Sequence, residues 1–190
     1  MGYFPFFTDV EKLHGVIIGG GNVALEKVER LVSFNARITL VASAICDEIK
    51  KYSGEIELIE KDYESEVLLN ADYVIAATDN MELNRQIYSD AKKRNLLVNV
   101  VDVPELCDFI FPSVLQKGKL VVGVSTSGAG PRIAIRLKNE IEKIIPEDIE
   151  EKLDYLAEER IQAKENIKDA AKRRAYLIEL ANTVFENGKR

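Results

Sequence analysis

The chain alternates short, wholly apolar runs with longer segments in which apolar side chains recur every three or four residues. Gly15-Val16-Ile17-Ile18 is one such run; it stops at three glycines and predicts a strand buried on both faces. Between Val23 and Phe34, residues Val23, Ala24, Val28, Leu31 and Val32 recur at helical spacing, and Glu26, Lys27, Glu29 and Arg30 fill the other side. Ile38-Thr39-Leu40-Val41 predicts a second strand and Ile56-Glu57-Leu58-Ile59-Glu60 a third. Tyr73-Val74-Ile75-Ala76-Ala77 predicts a fourth, ending in the polar turn Thr78-Asp79-Asn80. Glu82 to Arg94 reads as a helix, and Leu97-Val98-Asn99-Val100-Val101 as a fifth strand ending at Asp102. Strands that alternate with helices predict an α/β fold, with a mostly parallel sheet covered on both faces.

Beyond Pro104 the rhythm changes. The runs Phe109 to Leu115 and Leu120 to Val124 are joined only by Gln116-Lys117-Gly118-Lys119, which predicts a β-hairpin. Pro131 suits the first position of a following helix, for which Ile133, Ile135, Leu137, Ile141, Ile144 and Ile145 supply apolar positions. Pro146 ends that helix or separates it from the next. From Glu147 to Lys189 the sequence is rich in Glu, Lys and Ala with a broken apolar pattern, and predicts an α-helical tail. Three parts are expected: 1–112, 113–146 and 147–190.

A chain of 190 residues that is 46% hydrophobic has material for a real core. With 26 basic against 32 acidic residues its net charge is −6, which provides no global field for nucleic acid or anionic lipid, so an anionic ligand must be met by local groups. Cys46 and Cys107 lack paired spacing and read as packing residues of a reducing compartment. No apolar run approaches the roughly 20 residues of a membrane span and no signal peptide is recognisable, so no membrane association and a cytoplasmic location are expected. His14 is the sole histidine, has no Cys/His cluster to join, and reads as a surface-loop residue, so no metal site is expected.

The turn Gly19-Gly20-Gly21-Asn22-Val23-Ala24 matches G-x-G-x-x-A between a strand and a helix. In a Rossmann unit the first glycine makes the tight turn, the second lets the backbone approach a pyrophosphate, and the small third residue permits close packing of helix on strand. Free N–H groups at the helix start add a favourable field for phosphates. At the end of the second strand, where an acid would hold the ribose hydroxyls, stand Ala42, Ser43 and Ala44. That feature does not decide between NAD and NADP; the absence of an immediately following Arg or Lys tilts the reading toward NAD. Thr78 and Asp79 stand where ligands approach an open α/β sheet, or alternatively form a turn and helix cap.

Taken together, five segments resemble one family: Tyr3 to Phe7, Gly19 to Ala24, Ala76 to Asp79, Asn99 to Asp102 with Phe109 to Ser113, and Val124 to Pro131. It is the precorrin-2 dehydrogenase/sirohydrochlorin ferrochelatase family, the N-terminal half of siroheme synthase. The resemblance implies NAD-dependent oxidation of precorrin-2 to sirohydrochlorin in siroheme biosynthesis by a homodimer that pairs through its middle and C-terminal segments. It places the catalytic aspartate on Asp102, at a strand end where a carboxylate can act as general base or orient the macrocycle; the bland role for Asp102 is to cap the turn before Pro104. Ser125, Thr126, Ser127 and Gly128 lead into a helix start with Arg132 and Arg136 nearby, a receptor for the acetate and propionate arms of the substrate, to which Asn99 and Ser113 contribute. Two alternatives stay open: a bifunctional enzyme that also inserts ferrous iron, and a non-catalytic NAD-sensing Rossmann module.

Overall fold

The computed structural model describes residues 3–186, which divide between Ile110 and Phe111 into two compact units. The end of the expected tail, residues 187–190, lies outside the described residues.

The first unit is built on five parallel strands: β1 (His14–Ile18), β2 (Arg37–Ala42), β3 (Glu57–Glu60), β4 (Tyr73–Ala76) and β5 (Leu97–Val100). Their order is β3-β2-β1-β4-β5. The chain moves outward from β1 through β2 to β3, then returns to the other side of β1 with β4. The strand order therefore reverses between β1 and β4, and in open α/β sheets ligands bind at the carboxyl ends of the strands flanking such a point. Val16, Ile17, Val74, Ile75 and Val98 are wholly buried, which explains why these strands read as continuous apolar runs rather than alternating ones. Each such side chain stabilises the fold by about 1.5–3 kcal/mol relative to exposure.

Helix α1 (Asn22–Val32) buries Ala24, Val28 and Leu31, a stripe at the spacing of successive turns. Its partner α3 (Met81–Lys93) starts on an Asn80 cap whose side chain accepts from the N–H groups of Glu82 and Leu83, and it buries Ile87 and Ala91 in a cluster with Val16, Ile18, Val74 and Val98. Asn95 follows in the left-handed region at φ 58°, where asparagine is tolerated after a helix. Among the short elements that stand where no helix is expected are α2 (Asp47–Lys50) and a 3-10 helix at Ser65–Leu68. Each buries a single apolar side chain, Ile49 or Leu68, too short a pattern for periodicity to register.

His14 departs from the surface-loop expectation. It opens β1, half-buried, with Nε2 2.9 Å from Thr39 Oγ1 and Nδ1 3.1 Å from the Asn70 carbonyl. The Thr39 hydroxyl in turn donates to Glu57 Oε2 at 2.8 Å. This polar chain ties β1, β2 and β3 together at their amino ends, and it occupies both nitrogens of the ring.

The second unit opens with the hairpin β6 (Ser113–Lys117) and β7 (Leu120–Val124), paired antiparallel with Lys117 level with Leu120. The connecting loop is therefore Gly118-Lys119, two residues rather than four. Gly118 stands at its first position at φ 54°, where tight hairpin turns call for glycine. Strand β6 also begins later than the apolar run suggests, because the Phe109 carbonyl is taken by Asn99 and Pro112 has no N–H to offer a ladder. Helix α4 (Pro131–Ile144) starts with proline at its first turn, as expected, and is followed by α5 (Ile149–Asn166) and α6 (Ala170–Glu186). Leu156, Val184 and Phe185 line a cavity of about 340 Å3 between α5 and α6. Lys119 on the hairpin loop is ion-paired with Asp154 of α5. No helix among the described residues is long and apolar enough to cross a membrane.

Candidate dinucleotide site

The glycine turn lies at the carboxyl end of β1, against the ends of β2 and β4. The Gly19 N–H donates to the Val41 carbonyl at 3.0 Å, and the Ala77 N–H donates to the Ile18 carbonyl at 2.8 Å. Gly19 adopts φ 127°, and a Cβ there would meet the Ala77 carbonyl oxygen at 2.3 Å. Gly20 is equally confined, since a Cβ would approach the Ala44 carbonyl oxygen to 2.1 Å. Gly21 differs in kind. Its φ is −97° and nothing lies within 4 Å of where its Cβ would be. Two glycines are thus required by the protein's own packing, whereas the third faces space that nothing among the described residues fills.

Gly21 is also the N-cap of α1 and offers no capping side chain, so the first N–H groups of that helix, from Asn22 and Val23, have no side-chain acceptor at the cap. Asn22 and Val23 are exposed, while Ala24 is wholly buried against the sheet. Around this turn, Ala42 ends β2 buried, and Ser43 and Ala44 are exposed beyond it. Thr78 follows β4 with its hydroxyl engaged locally: it lies 2.6 Å from Asn84 Oδ1 and accepts from the Asn80 N–H at 3.2 Å. Its side chain therefore organises the entry to α3, while Asp79 is exposed on the rim.

Asp102 stands two residues beyond β5, on the same carboxyl edge, exposed and in the left-handed region at φ 61°. That conformation suits aspartate better than most residues and turns the chain sharply before Pro104. Asp102 is within electrostatic reach of Lys27 on α1. Burial and the charge of Arg30 hold the Lys27 ammonium below the usual lysine range, and Glu26 and Asp102 pull the other way. Spacing places Lys27 on the helix face opposite the apolar stripe and does not reveal its partial burial.

Asn99 is buried rather than ligand-facing. Its Nδ2 donates to the Phe109 carbonyl at 2.9 Å and lies 3.5 Å from Cys107 Sγ. The thiol donates to the Val100 carbonyl at 3.1 Å, and burial pushes its pKa up. Asn99 and Cys107 together brace the segment that carries Asp102.

In the first unit the structure brings together Gly19 to Val23, Ala42 to Ala44, Thr78, Asp79 and Asp102 along one sheet edge. The remaining sequence-derived residues belong to the second unit. Ser113 opens β6. Ser125 Oγ accepts from the Ser127 N–H at 3.0 Å, and Thr126 Oγ1 from the Gly130 N–H at 3.1 Å. Ser127 and Gly128 turn the loop at φ 53° and 86°, and Arg132 and Arg136 are exposed on α4.

Residues 6–113 match a family described as “Putative NAD(P)-binding”, and residues 117–144 match the central segment of sirohaem biosynthesis proteins. The chain is 42% identical over 149 residues to the siroheme synthase of Psychrobacter arcticus, covering 77% of this chain and 27% of that protein. It is 34% identical over 187 residues to the siroheme synthase of Mannheimia succiniciproducens, covering 97% of this chain and 39% of that one. The chain thus spans between about a quarter and two fifths of the length of these curated relatives. Among solved structures it superposes on SirC, a precorrin-2 dehydrogenase, with a TM-score of 0.76 at 20% identity, over 98% of this chain and 99% of that one. Fold, glycine turn and matched segments agree: the chain belongs to the NAD(P)-binding family of the sirohaem biosynthesis proteins.

Proposed function

We propose that this chain is an NAD-dependent precorrin-2 dehydrogenase, producing sirohydrochlorin. The observation that carries the reading is the open space over Gly21, between the ends of β1, β2 and β4, with Asp102 on the same edge. A dinucleotide fits there on physical grounds: the N–H groups opening α1 suit a diphosphate, and the missing Cβ of Gly21 leaves the backbone approachable. When bound, NAD accepts the hydride that the substrate gives up.

The chain's own residues do the rest. Gly19 to Val23 hold the diphosphate, and Ala42, Ser43 and Ala44 border the adenosine half. Thr78 and Asp79 border the nicotinamide half at the end of β4. Loss of a hydride leaves one proton to be removed, and the exposed Asp102 carboxylate takes it as general base. Ser113, Ser125 to Gly128, Arg132 and Arg136 offer hydroxyl, N–H and guanidinium groups to the substrate's carboxylates, and Asn99 acts by holding the Asp102 segment. Residues 113–146 then serve for substrate binding and for pairing two copies, and the helical part follows from 147.

Asp102→Asn tests the assignment. Dinucleotide affinity is expected within about twofold of the unchanged chain, with turnover down by about a hundredfold or more, the usual weight of a general base. Unchanged turnover in the variant overturns the role of Asp102, and absence of NADH formation by the unchanged chain under anaerobic conditions overturns the activity.

A further inference from the structure

Rossmann units ordinarily hold the ribose hydroxyls with a carboxylate at the end of the second strand. Here β2 ends in Ala42 and is followed by Ser43 and Ala44, so no such acid stands on that strand. The pairing of β2 with β3 supplies one from the side: Ala42 is level with Glu60, the last residue of β3. Adjacent strands lie about 4.8 Å apart, within the reach of a glutamate side chain.

The segment after Ala42 is fastened to the glycine turn. The Cys46 N–H donates to the Gly20 carbonyl at 2.9 Å, and Gly20 lacks room for any side chain against Ala44 and Ala42. The ends of β2 and β3 therefore border the same surface as the phosphate turn. Glu60 is half-exposed, with Lys50 Nζ 4.0 Å from its Oε2, and the same ammonium is 4.0 Å from Asp47 Oδ1. Two carboxylates thus share one ammonium.

We propose that Glu60 binds the adenosine ribose hydroxyls and sets the preference for NAD over NADP, an assignment that rests on the dinucleotide reading above. A ribose diol donates hydrogen bonds to the carboxylate. A 2′-phosphate at the same place brings a dianion against Glu60 and Asp47, and Lys50 is already shared between them. The missing strand-end acid is replaced from the neighbouring strand.

The test is the dissociation constant of NADH and of NADPH for the purified full chain, read by nicotinamide fluorescence. NADH is expected to bind at least about tenfold tighter than NADPH, the scale of one hydrogen bond to a charged group. Glu60→Ala is expected to weaken NADH about tenfold while leaving NADPH unchanged or tighter, whereas Asp47→Asn leaves NADH within about twofold and tightens NADPH only slightly, since it removes a charge but no ribose contact. Glu60 is exposed, so its removal leaves the core intact, and an unchanged far-ultraviolet circular dichroism spectrum checks this. Equal or stronger binding of NADPH by the unchanged chain overturns the assignment. So does a selectivity that Glu60→Ala does not move, or one that only Asp47→Asn moves. Binding of neither nucleotide overturns the dinucleotide reading and this assignment with it.

Discussion

Tyr73 shows how single side chains set limits that an apolar pattern does not reveal. It opens β4 with its ring edge-on to Phe109, centroids 5.9 Å apart, and it fills the space beside Gly15, where a Cβ would come within 2.2 Å of Cζ. Its hydroxyl is hidden and has no hydrogen-bond partner among the described residues. Burial, and then the charge of Asp72, push the phenol up to about 12. The fold therefore favours the neutral phenol. Its contribution is fully present below about pH 10, the unfolded value, and is lost as pH rises through about 12. Tyr73→Phe is expected to be neutral or to stabilise by about 1 kcal/mol at pH 8, because an unpartnered buried hydroxyl is removed. It is also expected to lose less stability than the unchanged chain between pH 10 and 12. Urea unfolding at both ends of that range checks this, and a loss of stability at pH 8 would show a favourable role for the hydroxyl. Tyr63, which burial and Asp90 also push up, is common to both proteins and cancels.

At the scale of elements, long and strongly patterned segments were the legible ones. All five strands of the sheet and both long helices of the first unit were apparent from apolar runs and helical spacing, because burial on both faces or along one stripe selects residue type directly. What escaped has a physical reason in each case. Helix α2 and the Ser65–Leu68 segment bury one apolar side chain apiece. The setting of His14 is hidden from the sequence because its partners, Thr39 and Asn70, are 25 and 56 residues away and become neighbours only when the strands pair. Helix α4 carries a consequence of its own. Only Ala134 is buried along it, whereas Ile133, Leu137 and Ile144, which share one face at helical spacing, are exposed, a concentration of apolar surface that ordinarily marks an interface. In the proposed homodimer this face is covered by a second copy. Sedimentation velocity is expected to give a dimer at micromolar concentration that Leu137→Lys with Ile144→Lys converts to monomer; a monomeric unchanged chain contradicts the pairing.

For the molecule as a whole, the sequence put the glycine turn and Asp102 at strand ends, where the structure also has them, and left their surroundings open. G-x-G-x-x-A is a local signal, readable because its small residues stand at fixed spacing between one strand and the helix that follows it. The distinction between Gly19 and Gly20, confined by the chain's own backbone, and Gly21, facing open space, depends on Ala77 and Ala44, which sequence spacing does not bring near. The same holds for Glu60, whose position beside Ala42 follows from strand pairing alone. Asn99 is the reverse case: a polar residue at a strand end reads as a ligand group, and three-dimensional packing makes it a brace.

The central claim is that the open space at Gly21 is the seat of a dinucleotide. Titration of NADH into the full chain and into Gly21→Ala, with the thermal midpoint of each, tests it directly. Because Gly21 has φ −97° and an unobstructed Cβ direction, the variant is expected to unfold at nearly the same temperature yet to bind NADH about tenfold or more weakly, the added methyl standing where the diphosphate approaches. Equal affinity in the two proteins, with both folded, would contradict the account.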